Sequence, residues 1–272
     1  MATGNKALGK WDNAPLAIVV AQVRFESNKE TETRCLVSRI HEITKGTYPT
    51  VTEVQQFSFV VGEGNRQTPA HETIVALDLR TTDGARSIRI QPGVITYATS
   101  SYIDSQHFAV EWRQLLDALC TNSEVRVLRL GLRYVDFIIP TDGHIPEDYV
   151  SGLGCSPPVL GAQSPIAFVL YDFERPQNGR LRVQYGRGYG PPVLPPDLAD
   201  SVPPPAFLVA RYNSGLSAVL DMDRWRPASD IMSAATIAEE FQILRNDMAT
   251  AFHDIITPLA SKEWQGLTDA GV

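Results

Sequence analysis

Residues 125–139, VRVLRLGLRYVDFII, constrain the fold of this chain more than any other segment. The run is too rich in β-branched and aliphatic residues for a surface helix, and it alternates with a period of two. Leu128, Leu130, Leu132 and Tyr134 fall on one face, and Arg129, Gly131 and Arg133 on the other. The segment predicts a long central strand whose second face carries two guanidinium groups around a residue with no side chain.

The rest of the chain supplies strands in hairpins and helices after groups of strands. Residues 16–27 alternate weakly, as a strand covered on both faces does. Residues 51–61, 72–80, 86–91 and 93–97 read as further strands, with Asp83-Gly84 as a tight turn. A second set follows at 165–174 and 180–185 around Asn178-Gly179, and at 206–213 and 215–222. Helical spacing appears at 33–45, ended by Gly46, and at 106–120, where Asp104 or Ser105 can cap. It appears again at 231–256, where Phe241, Leu244, Met248 and Phe252 share one stripe and Pro258 ends the run.

This order predicts an α+β fold: a large antiparallel sheet with long amphipathic helices packed on one face. Residues 86–91 and 180–184 echo each other, each in a hairpin that precedes further strand and a long helix. The echo is read either as two pseudo-repeated halves or as the likeness of any two antiparallel hairpins. The expected divisions are a flexible N-terminus at 1–14, a first α+β half at 15–139 and a connecting loop at 140–164. A second half follows at 165–260 and a C-terminal tail at 261–272.

Composition narrows the function classes. The net charge is −7, which gives no electrostatic footprint for nucleic acid or an anionic membrane. No run approaches the roughly 20 apolar residues of a membrane helix, and the first apolar run, 16–21, is short for a signal segment. Three scattered cysteines, Cys35, Cys120 and Cys155, read as free thiols, so the cytoplasm is the expected compartment. No phosphate-cradling loop, dinucleotide fingerprint, nucleophile elbow or paired metal ligands occur. His41-Glu42 and His71-Glu72 lack a second histidine at zinc-protease spacing. No cofactor, metal or catalytic residue is predicted; His107 and the His253-Asp254 pair form no constellation, and Glu53 with Asp78 reads equally well as solvated strand face.

Several segments together resemble a sporadically distributed family of uncharacterised bacterial and archaeal proteins. They are Pro15 with an apolar strand ending Arg24-Phe25, a helix centred on Trp112, the Arg129-Leu-Gly-Leu-Arg-Tyr-Val-Asp136 strand and a terminal Phe252-His-Asp-Ile-Ile-Thr257. The chain departs from the family pattern at Asp136, where asparagine is usual, and at Arg245, where histidine is. The resemblance implies no activity. The family's patchy distribution is similar to that of defence or mobile-element genes.

Two functional readings follow. The first is a non-enzymatic soluble accessory protein working through protein partners, possible in a defence or mobile-element system. Its contact candidates are Tyr185, Arg187 and Tyr189, and the proline-rich stretch 191–205 is either a rigid connector or a docking arm. The second is a sensor or enzyme that binds a small anionic ligand on the sheet face of Arg129, Gly131 and Arg133, with Arg89 and Arg182 adding charge. The structural alternative for these arginines is cross-strand pairing with Asp221 or Asp223. A polar pocket over Gly131 would favour the anion reading; a broad apolar patch would favour the partner reading.

Overall fold

The computed structural model describes residues 11–27, 30–61, 67–121, 124–141, 143–153 and 164–266. Nine strands form one continuous antiparallel sheet: β1 (Leu16–Phe25), β2 (Thr50–Val61), β3 (Gln67–Arg80), β4 (Arg86–Gln91), β5 (Val94–Thr99), β6 (Val125–Ile138), β7 (Ala167–Arg175), β8 (Gly179–Tyr189) and β9 (Leu216–Pro227). Their spatial order is β2-β3-β4-β5-β1-β6-β9-β8-β7, and a two-residue tenth strand, β10 (Ile231–Met232), pairs with the start of β6. Helices α1 (Glu30–Thr44), α2 (Ser105–Leu119), α3 (Ala206–Val209), α4 (Ala234–Ile255) and α5 (Pro258–Trp264) complete the fold. The predicted α+β class holds.

β1 and β6 lie side by side in the middle. The strand sets β1–β5 and β6–β9 each start at the centre, travel to an edge and return to pack beside their own first strand. The hairpins carrying Arg89 and Arg182 thus lie on opposite sides of the centre. This is a likeness of strand order and establishes no repeat in the sequence.

Residues 17–21 of β1 are buried on both faces, which explains their weak alternation. Over one face lie α1, α2 and α4, packed on Val19, Ala21, Ile88, Ile90, Leu130, Leu132, Leu220 and Met222. α2 is capped by Asp104, whose carboxylate accepts from the backbone N–H of Gln106 and His107; α4 is capped by Ser233. Phe241, Leu244 and Met248 of α4 are buried and Phe252 partly so, and Phe241 meets Trp112 edge-on at 5.1 Å. No helix among the described residues is long and apolar enough to cross a membrane.

Several expectations are corrected. Leu128 does not join the apolar face of β6 and stands exposed. The register slips between Arg24↔Arg129 and Phe25↔Val127, and the extra residue turns Leu128 outward. The second hairpin turn sits at Gln177-Asn178, both at positive φ, one residue before the expected pair. Residues 206–209 are a helical turn, and β9 pairs with β6 and β8 instead of a hairpin partner. The last long helix starts at Ala234, because Ile231 and Met232 are bound to β6. Trp264, in the expected tail, is buried and stacks on Tyr149.

The proline-rich stretch is neither a free arm nor a bare connector. Its Leu194, Leu198 and Val202, with Leu208 of α3, cover Ile18, Val20, Ala98, Val135 and Phe137 on the sheet face opposite the long helices. A proline-rich path suits such a cover, because it needs no internal ladder and apolar side chains spaced along an extended backbone can all meet the sheet. The cover is partial. Beside it lies the arginine face.

Candidate anion-binding site

Strand register brings the arginines together. Gln22 of β1 pairs with Gly131 of β6 and with Thr96 of β5, so the three form the floor of a depression. One step along the sheet, Arg24 lies opposite Arg129; one step the other way, Arg133 lies opposite Asp223. Arg89 of β4 stands beside Thr96. Asp197, Leu198 and Ser201 of the proline-rich stretch form the rim. The result is a polar cavity of about 300 Å³.

The arginines in it are not equivalent. Arg133 donates Nε to Asp221 Oδ1 at 2.8 Å and Nη2 to Asp221 Oδ2 at 2.7 Å, and it also binds Asp197. Against the cost of burial, these carboxylates hold its guanidinium above the usual range. Arg89 is likewise forked onto Asp78, at 2.7 Å for both bonds. The structural alternative describes these two.

Arg129 differs. Its nearest carboxylate contact is Asp223 at 3.8 Å, beyond hydrogen-bond reach. Its Nε is buried with no partner among the described residues. Its guanidinium lies 4.7 Å over the ring of Trp225. Burial holds it below its usual range; Asp223 opposes the shift, and Arg24 and Arg182 add to it. Arg24 bonds Gln22 at 3.0 Å. Burial raises the Asp223 carboxyl, with Arg129 and Arg133 acting against that. One end of the cavity therefore holds guanidinium groups whose charge is incompletely answered, and the other holds carboxylates and hydroxyls.

Gly131 is buried between these groups. A Cβ added there would meet Trp225 Cβ at 3.7 Å, an ordinary contact, so the glycine leaves room for a ligand above it instead of relieving a crowded backbone. Arg182 sits outside the cavity, opposite Asp223 in β8, and reaches Asp172 at 3.4 Å.

Sequence reasoning missed Arg24, Gln22 and Thr96. Period two in β1 puts Gln22 and Arg24 on one face, but the strand as a whole reads as covered on both. Nothing in the sequence places Asp197 against Arg133, because that contact spans the fold.

Other candidates disperse. Tyr185 and Arg187 are buried on the helix side: the Tyr185 hydroxyl donates to Glu147 at 2.9 Å, and Arg187 pairs with Glu147 at 2.6 Å. They continue strand β8 and cannot meet a partner; Tyr189 alone of the three is exposed. Glu53 is exposed while Asp78 is buried under Arg89, so these carboxylates form no pair. His107 binds its own cap residue Asp104, and His253 and Asp254 are exposed. Cys35 and Cys120 are free thiols, and Cys155 lies outside the described residues. No cluster of three metal-ligating side chains occurs among the described residues.

No protein-family model and no curated protein matches the chain. A solved structure of a rolling circle replication initiator protein from Geobacillus stearothermophilus is similar over 89% of this chain and 85% of that one, at 9% identity and a TM-score of 0.30. The expectation of a non-enzymatic accessory protein in a defence or mobile-element setting is corrected here. Two of the three residues assigned to partner contacts, Tyr185 and Arg187, lie inside the core.

Proposed function

We propose that the arginine cavity binds a small phosphate ester of a hydroxyl-rich molecule. The observation that carries this reading is Arg129, a partly buried guanidinium whose Nε is buried without a partner among the described residues and which has no carboxylate in hydrogen-bond reach. A partly desolvated charge in that state carries a cost, and an oxyanion that accepts a bidentate pair offsets it. Arg24, level with Arg129 on the neighbouring strand, supplies the second cation for a phosphate dianion. Ser87 and Ser201, with Asp197 and Asp223, supply acceptors and donors for hydroxyl groups at the other end, and Thr96 lies on the floor between.

The test is calorimetric titration with ribose 5-phosphate and with inorganic phosphate. The ester should bind more tightly than the bare ion, and Arg129→Gln should abolish both, because glutamine cannot present the charged fork. Undiminished binding by Arg129→Gln would remove the basis of the reading.

A further inference from the structure

A second cavity, of about 360 Å³, opens on the helix side of the sheet. It lies where β1 begins, beside the β5–α2 connection and under the second half of α4. Trp11, Leu16, Ile103, Phe207, Met248 and Phe252 give it apolar walls. Its polar lining includes Tyr134 and Asp136 from β6, Tyr102 from the β5–α2 connection and Arg245 from α4, with Asp12, Asp104 and three serines beside them.

Asp136 is the informative one. Its neighbours across the sheet are Leu16 and Leu220. It is 3% exposed, and no described side chain donates a hydrogen bond to it. Burial, with Asp221 adding to it, raises its carboxyl to about 8, so at neutral pH it carries a proton and can donate. Burial also raises Tyr102 and Tyr134, so both hydroxyls keep their protons. Arg245 faces these hydroxyls and makes no ion pair with a described carboxylate. A guanidinium has donors and no acceptor. Two further carboxylates line the cavity: Asp104 is occupied in capping α2, and Asp12 is exposed at the edge. The convergent groups thus offer hydrogens and one positive charge, set in apolar walls.

We propose that this cavity binds a small, mainly apolar molecule carrying one anionic group. The apolar body lies among Trp11, Ile103, Phe207 and Phe252. The anion sits against Arg245 and the tyrosine hydroxyls, and Asp136 donates to an acceptor on the ligand. The site is separate from the arginine cavity: it lies on the other face of the sheet and shares none of its lining residues.

The experiment uses the full chain and two fluorescent probes of like shape, the anionic 1-anilinonaphthalene-8-sulfonate and the uncharged N-phenyl-1-naphthylamine. The anionic probe should bind saturably at one site. Arg245→Gln should weaken it about tenfold and leave the neutral probe unchanged. Ala249→Phe, which fills the cavity, should weaken both. Arg129→Gln should change neither, which separates this site from the phosphate reading. No saturable binding, or an Arg245→Gln variant that binds the anionic probe unchanged or loses both probes equally, overturns the proposal. The Arg245→Gln comparison decides the matter even if Ala249→Phe does not fold.

Discussion

Arg129 and Arg133 sit four residues apart on one strand face, yet the structure gives them opposite roles. Arg133 is consumed by Asp221 and Asp197, while Arg129 is left with its Nε unpartnered. Arg133→Gln strands the buried Asp221 carboxylate and should cost about 3 kcal/mol in urea unfolding. Arg129→Gln gives up a 3.8 Å contact and should cost less than about 1 kcal/mol. Equal losses from the two changes would contradict this division. Gly131→Ala should be tolerated, since its methyl group meets ordinary contact distance, whereas Gly131→Leu should occupy the cavity and block phosphate-ester binding. Asp136 yields a pH prediction. Its folded-state value near 8 lies above the ordinary carboxyl value near 4. Between those limits the folded chain holds a proton that the unfolded chain has released, so stability falls as the pH rises from about 4 to about 8. Asp136→Asn should therefore raise the melting temperature at pH 8, and the gain should shrink towards pH 4. A gain of the same size at both ends would show that the carboxyl does not titrate as described.

At the scale of elements, the amphipathic helices were legible because their apolar stripes repeat at the helical period. Phe241, Leu244 and Met248 of α4 land on the sheet and on Trp112 as the spacing predicts. Phe241→Ala should cost about 3–5 kcal/mol, measured by thermal or urea unfolding. A loss below about 1 kcal/mol would place the stripe at a surface. Element ends were less legible. The start of α4 is set by β10, whose two residues bind β6, a partner more than 100 positions away. The bulge in β6 is likewise a property of a pair of strands, so no local pattern in either strand reveals that Leu128 turns outward. The proline-rich stretch shows the same limit from the other side. Its composition excludes helix and central strand, but the apolar surface it covers is assembled chiefly from β1, β5 and β6, none of them a neighbour in sequence.

At the scale of the molecule, the two strand sets share a single sheet. β1 opens the first set and β6 the second, and they pair along most of their length. Their apolar residues face the same layer of helices. Separating the sets would expose the edges and both faces of two central strands. Unfolding should accordingly be one cooperative transition, with calorimetric and van't Hoff enthalpies equal. Two resolved transitions would show that the sets melt independently.

Alternation and helical spacing in the sequence determined the α+β class, the burial of one face of β6 and the presence of arginines around Gly131 on the other. Those are local properties: each follows from where side chains point on one strand or helix. The tertiary structure decided which arginine keeps its charge incompletely answered, because Asp197, Asp221 and Asp223 reach the face from other segments. It turned Tyr185 and Arg187 inward by extending β8 to Tyr189, past residue 185 where the local strand pattern ends. It also brought Asp136 under Arg245, two residues 109 positions apart in the chain, into one apolar cavity. Charge balance and burial depend on what packs opposite, and that is set by strand order and register, which no single segment encodes.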